Sequence, residues 1–266
     1  MSTPMRVALI GWGAIGQYVG AELRNTDVEL VAVGVSDARS ERVDIPSETL
    51  VIEDQAQLAD LRPDVVAEAA GRSSVAPWGR AALDAGAEFI VSSTSAFADP
   101  AVLDELRRLA LTGAGQIQIQ PGALGGVDAL AAAAPMGLHR VEHRIIKPPR
   151  AWKHTPAEQL CELSSLREPT VFFTGNSTET ANAFPKNANV AMTTALAGIG
   201  PERTRISLVA DPAATTNRHE ISASGNFGDL EVAIANNPLP GNPKSSAMAA
   251  LNLVRAIMKR TAAIQI

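Results

Sequence analysis

Short apolar runs alternate with helical patterns through the first half of the chain. Val7–Ile10 is an apolar run that stops at Gly11, and Ala14–Arg24 follows with apolar residues at helical spacing. Leu30–Val35 reads as a second strand, Leu50–Ile52 as a short third and Val65–Ala70 as a further apolar run. Val75–Ala85 then reads as a helix closed by Gly86, Phe89–Val91 as a strand, Ala101–Leu111 as a helix and Gln116–Ile119 as a strand. Strands that are apolar throughout are buried on both faces. Their succession with helices predicts a parallel sheet covered on both sides.

The pattern changes near residue 120. Pro121–Gly126 is a glycine-rich turn, and an Ala-rich helix runs from it to about Ala134, the Met and Ala residues of 129–136 forming its core side. Val141–Ile146 alternates charged and apolar residues, and Pro148-Pro149 breaks any regular element. Asn189–Ala197 reads as a helix closed by Gly198. Arg205–Ala210, His219–Ser224 and Leu230–Ala235 are strand-like and are separated by Asp211-Pro212 and Gly225-Asn226. These predict an antiparallel or mixed sheet open on one side. Ser245–Met258 is helical after Gly241-Asn242-Pro243. The expected organisation is therefore α/β in three parts: a doubly wound domain over 1–120, a sheet-based domain over 121–240 and a closing helix in 241–266.

Composition narrows the class. The 266 residues suit one or two domains at about 150 residues each. Apolar residues make up 46% and charged residues 19%, which excludes a disordered chain. There are 46 alanines against 10 aromatics, so the core is built from small side chains. A net charge of −5 gives no electrostatic footprint for nucleic acid or an anionic membrane. Cys161 is alone, and His139, His143, His154 and His219 show neither HExxH nor HxH spacing, so no disulfide and no metal site is expected. No apolar run is long enough to cross a membrane, and the N-terminus lacks a signal-peptide pattern; the expectation is a cytoplasmic protein.

Gly11-Trp12-Gly13-Ala14-Ile15-Gly16 fits G-x-G-x-x-G and lies between a strand and a helix, the context that gives the motif meaning. Gly11 permits the tight turn, Gly13 lets the backbone approach a pyrophosphate, and Gly16 lets the helix pack on the strand. The first N–H groups of that helix, at Ala14, Ile15 and Gly16, face the anion. An acidic residue is expected at the end of the second strand to bond the adenosine ribose. Asp37 sits there, 21 residues after Gly16. Asp37 points to NAD, whereas Arg39 could meet a 2′-phosphate and admit NADP. The residues leave the choice of NAD or NADP open.

Several further segments combine with the glycine motif. They are Glu68–Gly71, Ser92–Ala96, Pro121–Asp128, Lys147–Pro149, Phe184–Ala191, Asn217–His219 and Asn242–Ser246. In order and content they resemble the L-aspartate dehydrogenase family over nearly the whole chain. The glycine motif alone would not separate that family from dihydrodipicolinate reductases or homoserine dehydrogenases. The resemblance implies a Rossmann domain, a mixed-sheet α/β catalytic and dimerisation domain, and a C-terminal helix that returns to the first. It implies NAD(P)-dependent oxidative deamination of L-aspartate to iminoaspartate, or oxaloacetate and ammonia, feeding NAD biosynthesis in a homodimer. It places the catalytic histidine on His219 and nicotinamide-side contacts on Ala123 and Asn189.

The chemistry of the residues can be read beside the resemblance. Oxidation of an α-amino acid needs a group that titrates near neutrality, which suits histidine. His219 lies in a strand-like run amid polar turn residues. His139 and His143 lie on a strand rich in charge and are expected at the surface, and His154 in a Pro-bounded loop. A dicarboxylate needs two anchors. Lys186, Ser93 with its neighbours Ser92 and Thr94, Arg72 and the backbone of Gly122–Gly126 are the candidates, and Asn187 could polarise a carbonyl or hold water. Lys147–Arg150 is expected as a solvated basic loop. Asp64 and Glu68 flank a strand, with nothing to mark them as a catalytic pair. Two alternatives stay open: a related reductase acting on another small acid, and an NAD(P)-sensing protein without turnover.

Overall fold

The computed structural model of the protein describes residues 3–40 and 42–265, the side chains of Pro243 and Lys244 excepted. The chain forms two compact units. One comprises Met1–Gly122, Leu239–Ser245 and Ala249–Ile266; the other comprises Ala123–Pro238 and Ser246–Met248.

The first unit carries a six-stranded sheet. Its strands are β1 (Met5–Ile10), β2 (Val28–Gly34), β3 (Leu50–Ile52), β4 (Val65–Glu68), β5 (Glu88–Val91) and β6 (Ile117–Ile119). They lie in the order β3-β2-β1-β4-β5-β6 and every pair is parallel. The order reverses between β1 and β4, and ligands of doubly wound sheets gather beyond the strand ends at such a switch point. Ile10 is paired with Gly34 on one side and Glu68 on the other, so β1, β2 and β4 end at one level. The crossovers are carried mainly by α1 (Ala14–Leu23), the short α2 (Leu58–Leu61), α3 (Arg72–Asp84) and α4 (Pro100–Thr112). The central apolar runs are buried, as strands covered on both faces must be: Val7, Leu9, Val33 and Ala67 are wholly inaccessible, whereas Leu50 and Val51 on the edge strand β3 are exposed. Their core continues through Leu253, Ala256 and Ile257 near the C-terminus. Arg260 follows, bonding Gln118 Oε1 at 2.8 Å and pairing with Glu88.

The second unit opens with α5 (Val127–Ala133) and builds a five-stranded sheet. Its strands are β7 (Leu138–Lys147), β8 (Thr170–Asn176), β9 (Arg205–Ala210), β10 (Asn217–Gly225) and β11 (Gly228–Asn236), in the order β11-β10-β7-β9-β8. The sheet is mixed, with β7 and β9 parallel and the other pairs antiparallel. The helices here are α6 (Ala157–Leu160), α7 (Ser177–Ala183) and α8 (Ala188–Ala197). After a short ribbon of β12 (Pro238–Leu239) and β13 (Asn242–Ser246), α9 (Ala247–Met258) closes the fold.

The two faces of this sheet differ. Along β7 and β10 the odd-numbered residues Val141, His143, Ile145, His219, Ile221 and Ala223 are buried. The even-numbered residues carry ion pairs, Arg144 to Glu220 and Arg218 to Glu220, each at 2.7 Å. Helix α8 buries Ala191, Met192, Thr194 and Ala195 and adds Ala191 to the apolar cluster around Ile145, Ile206 and Leu208. The sequence pattern did not anticipate β8 or α7. β8 carries only the short apolar run Val171-Phe172-Phe173 between polar residues, and none of its residues is fully buried. Helix α7 is announced only by its capping box, in which Asn176 accepts from the Glu179 N–H and Glu179 accepts from the Asn176 N–H.

Candidate active site

The glycine loop after β1 is shaped as the motif requires. Gly11 has φ +97°, and a Cβ there would lie 2.7 Å from Ala70 Cα, so the turn tolerates only glycine. A Cβ on Gly16 would lie 2.1 Å from the Gly11 carbonyl oxygen, which explains the close packing of helix on strand. Gly13 differs: it has nothing within 4 Å of a built Cβ and opens α1 without a side-chain cap. Open space in front of uncapped N–H groups at the start of a ten-residue helix fits a pyrophosphate. The loop borders a cavity of about 740 Å³ lined also by Gly34, Ser36, Arg42, Ala70, Ser74 and Trp78.

Asp37 lies just past the end of β2. Its carboxylate accepts from the Arg39 N–H at 3.0 Å and the Ser40 hydroxyl at 3.1 Å. The Arg39 backbone bond, then the Ser40 bond, hold its pKa below the usual carboxylate value. Arg39 is turned to solvent and pairs with Asp37; of the two arginines in this turn, Arg42 is the one that lines the cavity.

Beyond β4 the structure gives Glu68 a role that its place at a strand end does not announce. Glu68 is fully buried, and its carboxylate accepts five hydrogen bonds. The donors are the N–H groups of Ala70, Gly71 and Ser93 and the hydroxyls of Ser74 and Ser93, all at 2.8–3.0 Å. One carboxylate thus binds the end of β4, the start of α3 and the turn after β5. Ser93 is buried and both its donors face Glu68, so it stands as a tie within the fold rather than a presented anion anchor. Thr94 is fully buried and Arg72 is exposed in the first turn of α3. Asp64 lies at the opposite end of β4 from Glu68, receiving the Arg6 N–H at 2.7 Å, so the two carboxylates form no pair.

In the second unit the pleat of β7 and β10 sets the chemistry. His219 is paired with Ile145, which places His143 and Lys147 on its two diagonals on the same covered face. His143 Nε2 lies 3.1 Å from His219 Nδ1, and His143 Nδ1 lies 2.9 Å from Thr194 Oγ1 on α8. The expected surface position of His143 is therefore corrected: it is completely buried, because its strand position shares the parity of Val141 and Ile145. Burial, with His219 second, holds the His143 pKa well below the ordinary value. Burial, with Lys147 second, holds His219 down to about 3.

Lys147 corrects the solvated-loop expectation in the same way. It is the last residue of β7, and its ammonium donates to Asn187 Oδ1 at 2.6 Å and lies 5.1 Å from the centre of the Trp152 ring. Burial, with Lys186 second, lowers its pKa to about 8. Asn187 is buried and Lys186 is exposed beside it, on the turn that leads into α8. Asn189 is exposed in the first turn of α8. The structure thus brings His219, His143, Lys147, Lys186 and Asn187 together around the β7 and β10 inner face and the start of α8. Alternation along Val141-His143-Ile145-Lys147 is the signal that could have found the two residues the sequence reading placed in solvent.

The remaining candidates are placed elsewhere. The Ala123 carbonyl accepts from Asn236 Nδ2 at 2.9 Å. The Gly122 N–H donates to Gln120 Oε1 at 2.6 Å, and α5 has only seven residues, so the Gly122–Gly126 turn presents no long-helix anion site. His139 and His154 are exposed. Among the described residues no group of three or more His, Cys, Asp or Glu is arranged to hold a metal. No helix among them is long and apolar enough to cross a membrane.

Comparison with known proteins adds ancestry to this geometry. Residues 11–120 match the family described as homoserine dehydrogenase, NAD binding domain, and residues 128–260 match aspartate dehydrogenase, C-terminal. The L-aspartate dehydrogenase of Brucella anthropi is 52% identical over 264 residues, covering 98% of each chain. That of Ralstonia pickettii is 40% identical over 267 residues, covering 98% of this chain and all of its own. The crystal structure of aspartate dehydrogenase from Thermotoga maritima superposes with a TM-score of 0.80 at 27% identity, covering 98% of this chain and 99% of that one. A dihydrodipicolinate reductase from Paenisporosarcina, at 18% identity and a TM-score of 0.53, shares the fold. With a match along nearly its whole length and a nucleotide loop of the expected shape, this chain belongs to the aspartate dehydrogenase family.

Proposed function

We propose that the protein oxidises L-aspartate with NAD⁺ or NADP⁺ to iminoaspartate, which water converts to oxaloacetate and ammonia. The observation that carries this reading is a buried neutral histidine, His219, set diagonal to a half-buried lysine on one covered sheet face. The backbone of Gly11–Gly16 would hold the cofactor pyrophosphate, with Asp37 or Arg42 toward the adenosine ribose. The family resemblance assigns Ala123 and Asn189 to the nicotinamide side. When bound, the cofactor supplies the acceptor for the hydride that leaves the substrate Cα.

The protein residues have distinct tasks in this reading. Lys147 and Lys186 supply two positive charges for the two substrate carboxylates, in place of Ser93. Asn187 fixes the Lys147 ammonium and offers its amide to the substrate. His219 takes the proton that the amine must lose as the imine forms, and then serves the attacking water. Burial, and after it the charge of Lys147, depresses the His219 pKa, so a substrate carboxylate bound beside Lys147 offsets the second of these and raises the basicity of His219. Substrate binding thereby prepares its own base.

The test is the absorbance of reduced nicotinamide with purified protein, each cofactor and L-aspartate, with L-glutamate, L-alanine and D-aspartate alongside. Reduction with L-aspartate alone supports the reading, and the two cofactors rank their preference. Turnover of another acid, or tight cofactor binding with none, overturns it in favour of the related reductase or the sensor. His219→Ala is expected to lower kcat by about 10²–10⁴-fold, the span of a lost general base. On the family resemblance we further take the working protein as a cytoplasmic homodimer whose iminoaspartate feeds NAD biosynthesis. Light scattering reads the assembly.

A further inference from the structure

His143 is completely buried, yet the proposed reaction gives it no task. Its two ring nitrogens meet two partners: Nε2 faces His219 Nδ1 at 3.1 Å, and Nδ1 faces Thr194 Oγ1 at 2.9 Å. Thr194 Oγ1 is also 3.1 Å from the Val190 carbonyl oxygen, one turn back in α8. Those three contacts fix the polarity of the chain. A carbonyl only accepts, so the single hydroxyl proton of Thr194 goes to Val190. The hydroxyl oxygen then accepts from His143 Nδ1–H. A neutral imidazole has one N–H, so His143 Nε2 is a bare lone pair and accepts from His219 Nδ1–H. The opposite polarity turns the Thr194 proton to His143 and leaves two oxygen lone pairs facing each other at the Val190 contact. Burial of both rings keeps them neutral.

We propose that His143 and Thr194 are positioning residues that lock His219 in its Nδ1–H tautomer, so that Nε2 is the atom that takes the substrate proton. No hydrogen bond among the described residues engages His219 Nε2, and it is not a buried orphan, so the lone pair is available. The locked form is the one a free histidine side chain populates less. The catalytic consequence rests on the reading of His219 as acid and base; the tautomer does not.

The test is long-range proton–nitrogen NMR of imidazole-labelled protein, which reads each ring's protonated nitrogen directly, together with steady-state kinetics. Wild type is expected to show Nδ1–H at both His143 and His219. A spectrum with Nε2–H at His219 overturns the proposal. Thr194→Val keeps the shape and removes the acceptor of His143. His143 then turns its proton toward His219, and His219 changes to Nε2–H. With L-aspartate kcat is expected to fall about 10²-fold or more while KM stays within a few-fold, since the wrong tautomer cannot accept the proton. Thr194→Ser, which keeps the hydroxyl, restores both the spectrum and kcat. A changed tautomer with unchanged kcat overturns the positioning role. If Thr194→Val does not fold, the wild-type and Thr194→Ser spectra decide. Expected tautomers in a protein that turns over no aspartate would support the lock and overturn only the substrate.

Discussion

Lys147 shows how strand parity alone changes what a residue can do. Beside Pro148-Pro149 and Arg150 it reads as part of a solvated basic turn. The pleat instead puts it in the row of Val141, His143 and Ile145, against Asn187 and Trp152. The charged even-numbered residues Arg140, Glu142 and Arg144 already mark the opposite face as the wet one. What the sequence does not carry is that α8 covers the odd face, and that fact turns a histidine from a surface group into a buried one and a lysine into a half-buried one. The consequence is measurable. Lys147 titrates at about 8, so its charge is present below that pH and lost above it. If it anchors a carboxylate, kcat/KM for L-aspartate falls on the alkaline side with a limb near pH 8 in the free enzyme. Lys147→Met is expected to remove that limb and raise KM roughly 10- to 100-fold, the loss of one hydrogen bond to a charged group. A limb that persists in Lys147→Met assigns the titration to another group.

At the scale of elements, legibility followed burial. The strands of the parallel sheet are apolar on both faces and could be read directly. So could the glycine loop, because tight turn, close approach and helix packing each demand glycine at a stated place. β8 does not stand out, since its apolar run Val171-Phe172-Phe173 is short and no helix pattern beside it marks a strand–helix alternation. Glu68 was visible only as a charge at the end of a strand; its role depends on donors from three separate segments converging on it. The glycine loop yields a paired prediction. Gly13 has φ −78°, which any residue adopts, and open space around a Cβ. Gly13→Ala is therefore expected to leave the melting temperature within a few degrees of wild type while weakening NAD(P) binding by about 10-fold or more, because the methyl occupies the approach to the pyrophosphate. In Gly16→Ala the new Cβ meets the Gly11 carbonyl, and backbone must move; a loss of about 1–3 kcal/mol of stability is expected alongside weaker binding. Calorimetric titration and thermal melting of the two variants separate these effects. Equal behaviour of both would argue that the loop holds no ligand.

On the scale of the molecule, titration divides the chain. All four histidines, His139, His143, His154 and His219, belong to the unit built on the mixed sheet, and the parallel-sheet unit has none. His143 and His219 are buried and neutral, with folded pKa values below the unfolded value of about 6.5. A group depressed on folding contributes its full stability above the unfolded pKa and loses it as pH falls toward the folded one, because the unfolded chain binds the proton first. Between about pH 7.5 and 5.5 each such histidine removes about 1.4 kcal/mol, and the pair roughly 2–3 kcal/mol. Carboxylates, which titrate lower, contribute little over that window. Amide hydrogen exchange read segment by segment is expected to show falling protection in β7, β9 and β10 across it, while β1, β4 and β5 hold theirs. In a His143→Gln, His219→Gln double variant the difference between the two units should vanish. Uniform loss of protection in both units of wild type would mean that the buried histidine pair does not set the acid limit of the fold, and that its neutrality is not enforced by the covered sheet face.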